Sequence, residues 1–164
     1  CQERLDRAQW SSQGPSRVEL MYRPAAGLTA RPLRRIASGG EASRVMLACK
    51  VVLGDADGID TLVFDEVDAG VGGATAVALA QVLSHLAQSH QVIVVTHLAQ
   101  VAVVGDRHYL VSKVGDAVPE TTIEEISGDE RVEEVARMLS GDQTQTSLDH
   151  AREMLAAAAS QKIR

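Results

Sequence analysis

"SGGEASR" at residues 38–44 and "TLVFDEVDAG" at 61–70 are the two stretches on which the fold turns. In the first, a glycine pair opens an apolar periodic segment. Ala42, Val45, Met46, Cys49, Val52 and Leu53 recur at three- and four-residue steps, which predicts a helix with those residues inward. Ser38 stands at its N-cap, and Glu41 three residues on completes a capping-box pattern. In the second stretch, "TLVF" is a short, wholly apolar run of the kind found in buried strands. It ends in Asp65 and Glu66.

Working outward, "DADGID" at 55–60 has turn chemistry between the two. A second helix is predicted over about 73–88, with Ala76, Leu79, Ala80, Leu83 and Leu86 inward. "QVIVVT" at 91–96 is another buried strand, and "LAQVAVVG" a short helix after it. "RHYLVSKV" and "PETTIEEI" flank Gly115-Asp116 as a hairpin, and from about Asp129 two helices follow, separated by "SGDQTQTS". Towards the N-terminus, "SRVELMY" at 16–22 has strand character and "RPAAGLTARP" reads as a loop. Residues 1–16 form a frayed lead-in, or the end of a coiled coil or linker, and 17–164 form one lobe. The alternation of strand and helix predicts an α/β fold with a largely parallel sheet flanked by helices.

Composition sets outer limits. The 164 residues are 45% hydrophobic, enough for one domain with a core. No apolar run is long enough to span a bilayer, and no basic, apolar leader opens the chain. The chain starts at Cys1 rather than Met, as a piece of a longer protein would. Cys1 and Cys49 make no disulfide framework, Cys49 reads as a core residue, and a reducing cytoplasm is the default. The net charge of −6 is uneven: residues 1–50 carry nine Lys/Arg against four Asp/Glu. That basic front suits a phosphate backbone and suits a solvated face equally. Aromatics are 2% of residues, which argues against a base-stacking platform.

The acids at the end of the "TLVF" strand lie where ligands of open α/β sheets bind. One carboxylate there suits Mg²⁺ held through water, and the other suits deprotonation of an attacking water. "VIVVTH" ends a second strand in Thr96-His97; if the two strands are neighbours, His97 and Glu66 face one cavity. The bare N–H groups at Gly39 and Gly40 attract an anion, and Ser38 adds a hydroxyl. Each piece by itself has a plainer reading: a capped helix, a pair of exposed acids, an incidental histidine. Asp68 lies in a glycine-rich bend with Gly70, Gly72 and Gly73. The phosphate loop G-x-x-x-x-G-K-[ST] is absent, since none of Lys50, Lys113 and Lys162 follows a glycine.

In this order the pieces resemble the C-terminal lobe of an ABC-type ATPase head. "SGGE" resembles the signature motif, "TLVFDE" the Walker B strand, "VDAG" the D-loop and "TH" the switch histidine. "IASGGEASRVMLACK", "FDEVDAGVGGATA", "THLAQVAVVGDRHYLVSK" and "RVEEVARMLSG" narrow the likeness to the SMC-like RecN family of bacterial DNA-repair ATPases, from about Val18 to about Leu155. Ala42 and Ala99 depart from the leucine and proline common there. The resemblance implies that Ser38, Gly39, Gly40 and Glu41 bind the γ-phosphate of ATP held by a second head. It implies that Asp65 holds Mg²⁺ through water, Glu66 is the general base, His97 senses the γ-phosphate and Asp68 makes a contact across the dimer. The partners it implies are a second head in a homodimer, an N-terminal Walker A lobe and DNA, with no membrane and a nucleoid-associated, cytoplasmic setting.

Three other readings compete. Ser38, Asp65 and His97 occur in the chain order of an α/β-hydrolase triad, though the nucleophile elbow is missing. The chain is otherwise a head lobe of another SMC-like ATPase, or a module retained for dimerisation alone.

Overall fold

Two parallel strands carry the centre of the molecule. β5 (Thr61–Phe64) pairs with β6 (Gln91–Val94) in the register Thr61↔Gln91 to Phe64↔Val94. The ladder runs one step further, where Val95 N–H donates to the Phe64 carbonyl at 2.9 Å. The crossover between them is α2 (Gly73–Leu86), as a parallel pair requires a long connection. This computed structural model describes residues 2–7, 10, 12, 14–36, 38–54, 58–114 and 120–162. Gly115-Asp116 and residues 55–57 of the predicted turns lie outside them.

Before this layer come four short strands and one turn of 3-10 helix. β1 (Gln2–Arg4) pairs antiparallel with β2 (Ser16–Val18), so the lead-in that read as frayed enters a ladder. β3 (Met21–Tyr22) pairs antiparallel with β4 (Arg31–Pro32), which closes the predicted loop into a hairpin. A single 3-10 turn, Leu33–Arg35, leads to α1 (Gly39–Leu53). After β6 follow α3 (Ala99–Ala102), the antiparallel hairpin of β7 (His108–Val114) and β8 (Glu120–Ile126), and the helices α4 (Gly128–Ser140) and α5 (Gln145–Lys162). The parallel pair forms the central layer, and the other ladders among the described residues are antiparallel.

α2 buries the five residues its periodicity selects: Ala76, Leu79, Ala80, Leu83 and Leu86. Leu79, Ala80, Leu83 and Leu86 pack on Leu62 and Phe64 of β5, on Val67 and on Val101 of α3. A second cluster joins Ala99 and Val103 to Val135 and Ala136 of α4 and Ala151 and Ala158 of α5. Arg131 ties α4 to the end of α3: its Nη2 donates to the carbonyls of Ala102, Val103 and Gly105 at 3.1, 3.3 and 2.8 Å. These are carbonyls at and just past the end of the short helix α3, where the helical ladder runs out of donors.

α1 departs from expectation. The predicted inward stripe of Ala42, Val45, Met46, Cys49, Val52 and Leu53 is mostly on the outside; Met46 is 56% exposed and Val52 85%. Cys49, read as a core residue, is exposed as well. The buried residues of α1 are Gly40, Leu47 and Lys50. With Ser43 and Arg44 they follow one helical stripe at steps of three and four. The stripe is polar near its start because it meets backbone carbonyls of the acid-bearing bend, and apolarity therefore marks the wrong face.

No described helix is long and apolar enough to cross a membrane.

Candidate functional site

The site is assembled around the bend 65–70, at the C-terminal end of β5. Along β5 exposure alternates, with Leu62 and Phe64 buried and Thr61 and Val63 exposed, and Asp65 continues it outward. Glu66 would then face inward, but its φ of 54° places it in the left-handed region and it too is exposed. A non-glycine residue in that region costs about 1–3 kcal/mol and persists only where its surroundings impose it. Here the surroundings are α1.

Three contacts hold α1 to the bend. Ser43 Oγ donates to the Asp65 carbonyl at 2.6 Å, and Arg44 Nη1 donates to the carbonyls of Val67 and Ala69 at 3.2 and 2.8 Å. The two glycines allow the approach. A Cβ on Gly40 would stand 2.7 Å from Ala69 Cβ and 2.8 Å from the Glu66 carbonyl oxygen. A Cβ on Gly39 would stand 2.5 Å from Glu66 Oε2, so the Glu66 carboxylate lies beside the start of the helix. Ser38 is the N-cap, and its Oγ accepts from the Glu41 N–H at 3.4 Å. Gly70 and Gly73, with φ of 71° and 54°, turn the chain into α2.

The end of β6 reaches the same bend. Asp68, buried at 2% exposure, accepts from the Thr96 hydroxyl at 2.5 Å and from the His97 N–H at 3.1 Å. His97 Nδ1 lies 3.3 Å from the same carboxylate oxygen, while the rest of its side chain is largely exposed. The strands are neighbours, which meets the condition set by the sequence. The side chain that greets His97 is Asp68, three residues beyond the Asp65 of the hydrolase reading. Ser38 Oγ is engaged with Glu41 N–H, and nothing in this arrangement makes a nucleophile of it. The triad is therefore not assembled.

Ser38, Gly39, Gly40, Glu41, Asp65 and Glu66 thus gather where α1 begins, and Asp68 and His97 form a second group tied to the same bend. Sequence reasoning missed Ser43 and Arg44. Their signal was position: they lie three and four residues after Gly40, on the face that Gly40 presents to the bend. Among the described residues no group of three or more His, Cys, Asp or Glu is placed to hold a metal ion. A single exposed carboxylate, Asp65, with its backbone pinned by Ser43, suits a cation that keeps most of its water and takes other ligands from a phosphate chain.

No family model matches the chain. Curated relatives do. DNA repair protein RecN of Deinococcus radiodurans is 51% identical over 150 residues, covering 91% of this chain and 26% of that protein. DNA repair protein RecN of Streptomyces coelicolor is 48% identical over 91% of this chain and 26% of its own length. Over the part that it spans, the chain belongs to the RecN family. DNA repair protein RecN of Treponema pallidum agrees, at 49% identity over 88% of this chain and 26% of that protein. The chain therefore spans about a quarter of the length of these RecN relatives, in their C-terminal part. Among solved structures, one from work on ATP-driven dimerization and DNA-stimulated activation of SMC ATPases overlaps 66% of this chain and 65% of that one, with 24% identity and a TM-score of 0.45.

Proposed function

We propose that this chain is the C-terminal half of a RecN-type ATPase head acting in the repair of DNA double-strand breaks. It hydrolyses ATP only when an N-terminal lobe supplies the lysine loop and a second head closes over the nucleotide. The observation that carries the proposal is the packing of the α1 start, the acid bend and the β6 end into one edge. A phosphate chain needs donors, a cation holder and a base within one site, and these are the residue types gathered there.

In this reading Ser38, Gly39, Gly40 and Glu41 bind the γ-phosphate held by the opposite head, through N–H and hydroxyl donors at the start of α1. Asp65 holds Mg²⁺ through water; when bound, that ion offsets charge on the phosphates. Glu66 accepts a proton from the attacking water. Its carboxylate lies beside Gly39 here, so closure of the heads turns it towards the nucleotide. His97 donates to the γ-phosphate, and DNA contact belongs to the whole protein.

Support for a missing lobe comes from uncovered surface. Parallel strands are ordinarily covered on both faces. One face of the β5–β6 pair lies under α2, whereas Val63, Ile93 and Val95 on the other are 66, 47 and 57% exposed. The outer face of α1 is open in the same way.

Two measurements test the proposal. The 164-residue chain alone is expected to turn over no ATP; hydrolysis by it, free of contaminants, contradicts the need for a second lobe. In the protein carrying both lobes, Glu66→Gln is expected to retain ATP binding, hold the heads together and lower hydrolysis by about 100-fold or more. Hydrolysis at the parental rate would remove Glu66 from the role of base.

A further inference from the structure

Asp68 is built unlike the two acids before it. Asp65 and Glu66 are exposed, whereas Asp68 is almost wholly withdrawn from water. A buried carboxylate is tolerated only where hydrogen bonds replace its hydration. For Asp68 these come from the end of β6. Oδ2 accepts from Thr96 Oγ1 and from the His97 N–H, and His97 Nδ1 stands close to the same oxygen. Thr96 Oγ1 in turn accepts from the Leu98 N–H at 3.0 Å. The hydroxyl has one proton, and it goes to Asp68. The carboxylate thus fixes Thr96 and His97 directly, and Leu98 through the Thr96 hydroxyl.

We propose that Asp68 is a positioning residue for His97, setting both the course of its backbone and the orientation of its ring. This rests on the ATPase reading for its consequence, and on the geometry alone for the coupling. A carboxylate beside Nδ1 keeps the proton on that nitrogen and leaves Nε2, across the ring, as the outward one. With a proton on Nε2 as well, the ring is a donor on its exposed edge. The role expected from resemblance, a contact across the dimer, needs an outward carboxylate; this one is turned into its own chain.

The test reads the ring first. Asp68→Asn keeps the shape and one oxygen for the two donors, and loses the charge. Long-range proton–nitrogen spectra of the histidine rings, at a pH where His97 is neutral, are expected to show the Nδ1–H tautomer in the parent and a shift to Nε2–H in the variant. The same tautomer in both overturns the proposal. Should Asp68→Asn not fold, Thr96→Val removes one anchor of the same carboxylate. It is expected to move the ring in the same direction, and an unchanged ring is again fatal.

Kinetics in the protein carrying both lobes then separate positioning from mere support. Asp68→Asn is expected to lower kcat on the order of 10-fold with KM for ATP within about twofold. Added to His97→Ala, it is expected to cost nothing further, because its effect runs through that ring. A full additional loss means that Asp68 acts elsewhere, and the proposal fails. If His97→Ala alone hydrolyses at the parental rate, it is the role of His97 in ATP hydrolysis that fails, and the ring spectra still decide the coupling.

Discussion

A Cβ on Gly40 would stand 2.8 Å from the carbonyl oxygen of Glu66. The start of α1 and the acid bend are in contact through backbone, so this glycine is required by space rather than by its own dihedral angles. Gly39 is different: the atom its Cβ would meet is Oε2, the far end of a flexible side chain. Gly40→Ala is therefore expected to destabilise the chain by about 1–3 kcal/mol, as overpacking does. Gly39→Ala is expected to show no loss, because Glu66 can swing aside and alanine is the better helix former. Thermal melts of the two variants check this, and equal losses would contradict the contact at Gly40.

The direction in which α1 faces is open to a similar comparison. Leu47 is buried in the central cluster, while Met46 and Val52 are exposed. Leu47→Ala is expected to cost about 2–5 kcal/mol. Met46→Ala and Val52→Ala are expected to stay within about 0.5 kcal/mol of the parent. Denaturant titrations of the three variants decide the matter. A large loss at Val52 with little at Leu47 would restore the stripe that periodicity selects.

That contrast explains what was legible beforehand. α2 is legible down to its five inward residues because its partners, β5 and α3, belong to the same chain. The β7–β8 hairpin and the α4–α5 pair were legible for the same reason. α1 was not, because hydrophobic periodicity reports which face is apolar and says nothing of what covers it. Its packed face carries Ser43 and Arg44, which bond to carbonyls, and a pattern search discounts such residues. At the site, the gathering of Ser38, Gly39, Gly40, Asp65 and Glu66 followed from one helix start and one strand end. Burial of Asp68 did not follow, since an aspartate in a glycine-rich bend has the pattern of an exposed turn residue. Only the pairing of β5 with β6 brings Thr96 and His97 onto it.

Acid sensitivity away from the site centres on one histidine. His108, at the start of β7, is half-buried, and its Nδ1 is buried without a hydrogen-bond partner among the described residues. Burial, reinforced by the nearby Arg131 guanidinium, holds its imidazole below the ordinary value, and Glu134 opposes this more weakly. Glu134 is itself occupied by Arg137, through two bonds of 2.7 Å. The unfolded chain takes up a proton at His108 near pH 6.5, whereas the folded chain resists until a lower pH. Between those points the unfolded state binds more protons, so stability rises with pH. The contribution is present above the unfolded value, is lost as pH falls through the window, and levels off below the folded value. Melting temperatures of the parent are expected to fall more between pH 7.5 and 5.5 than those of His108→Gln, which carries no titrating ring. Parallel curves for the two proteins would show that His108 titrates alike in both states.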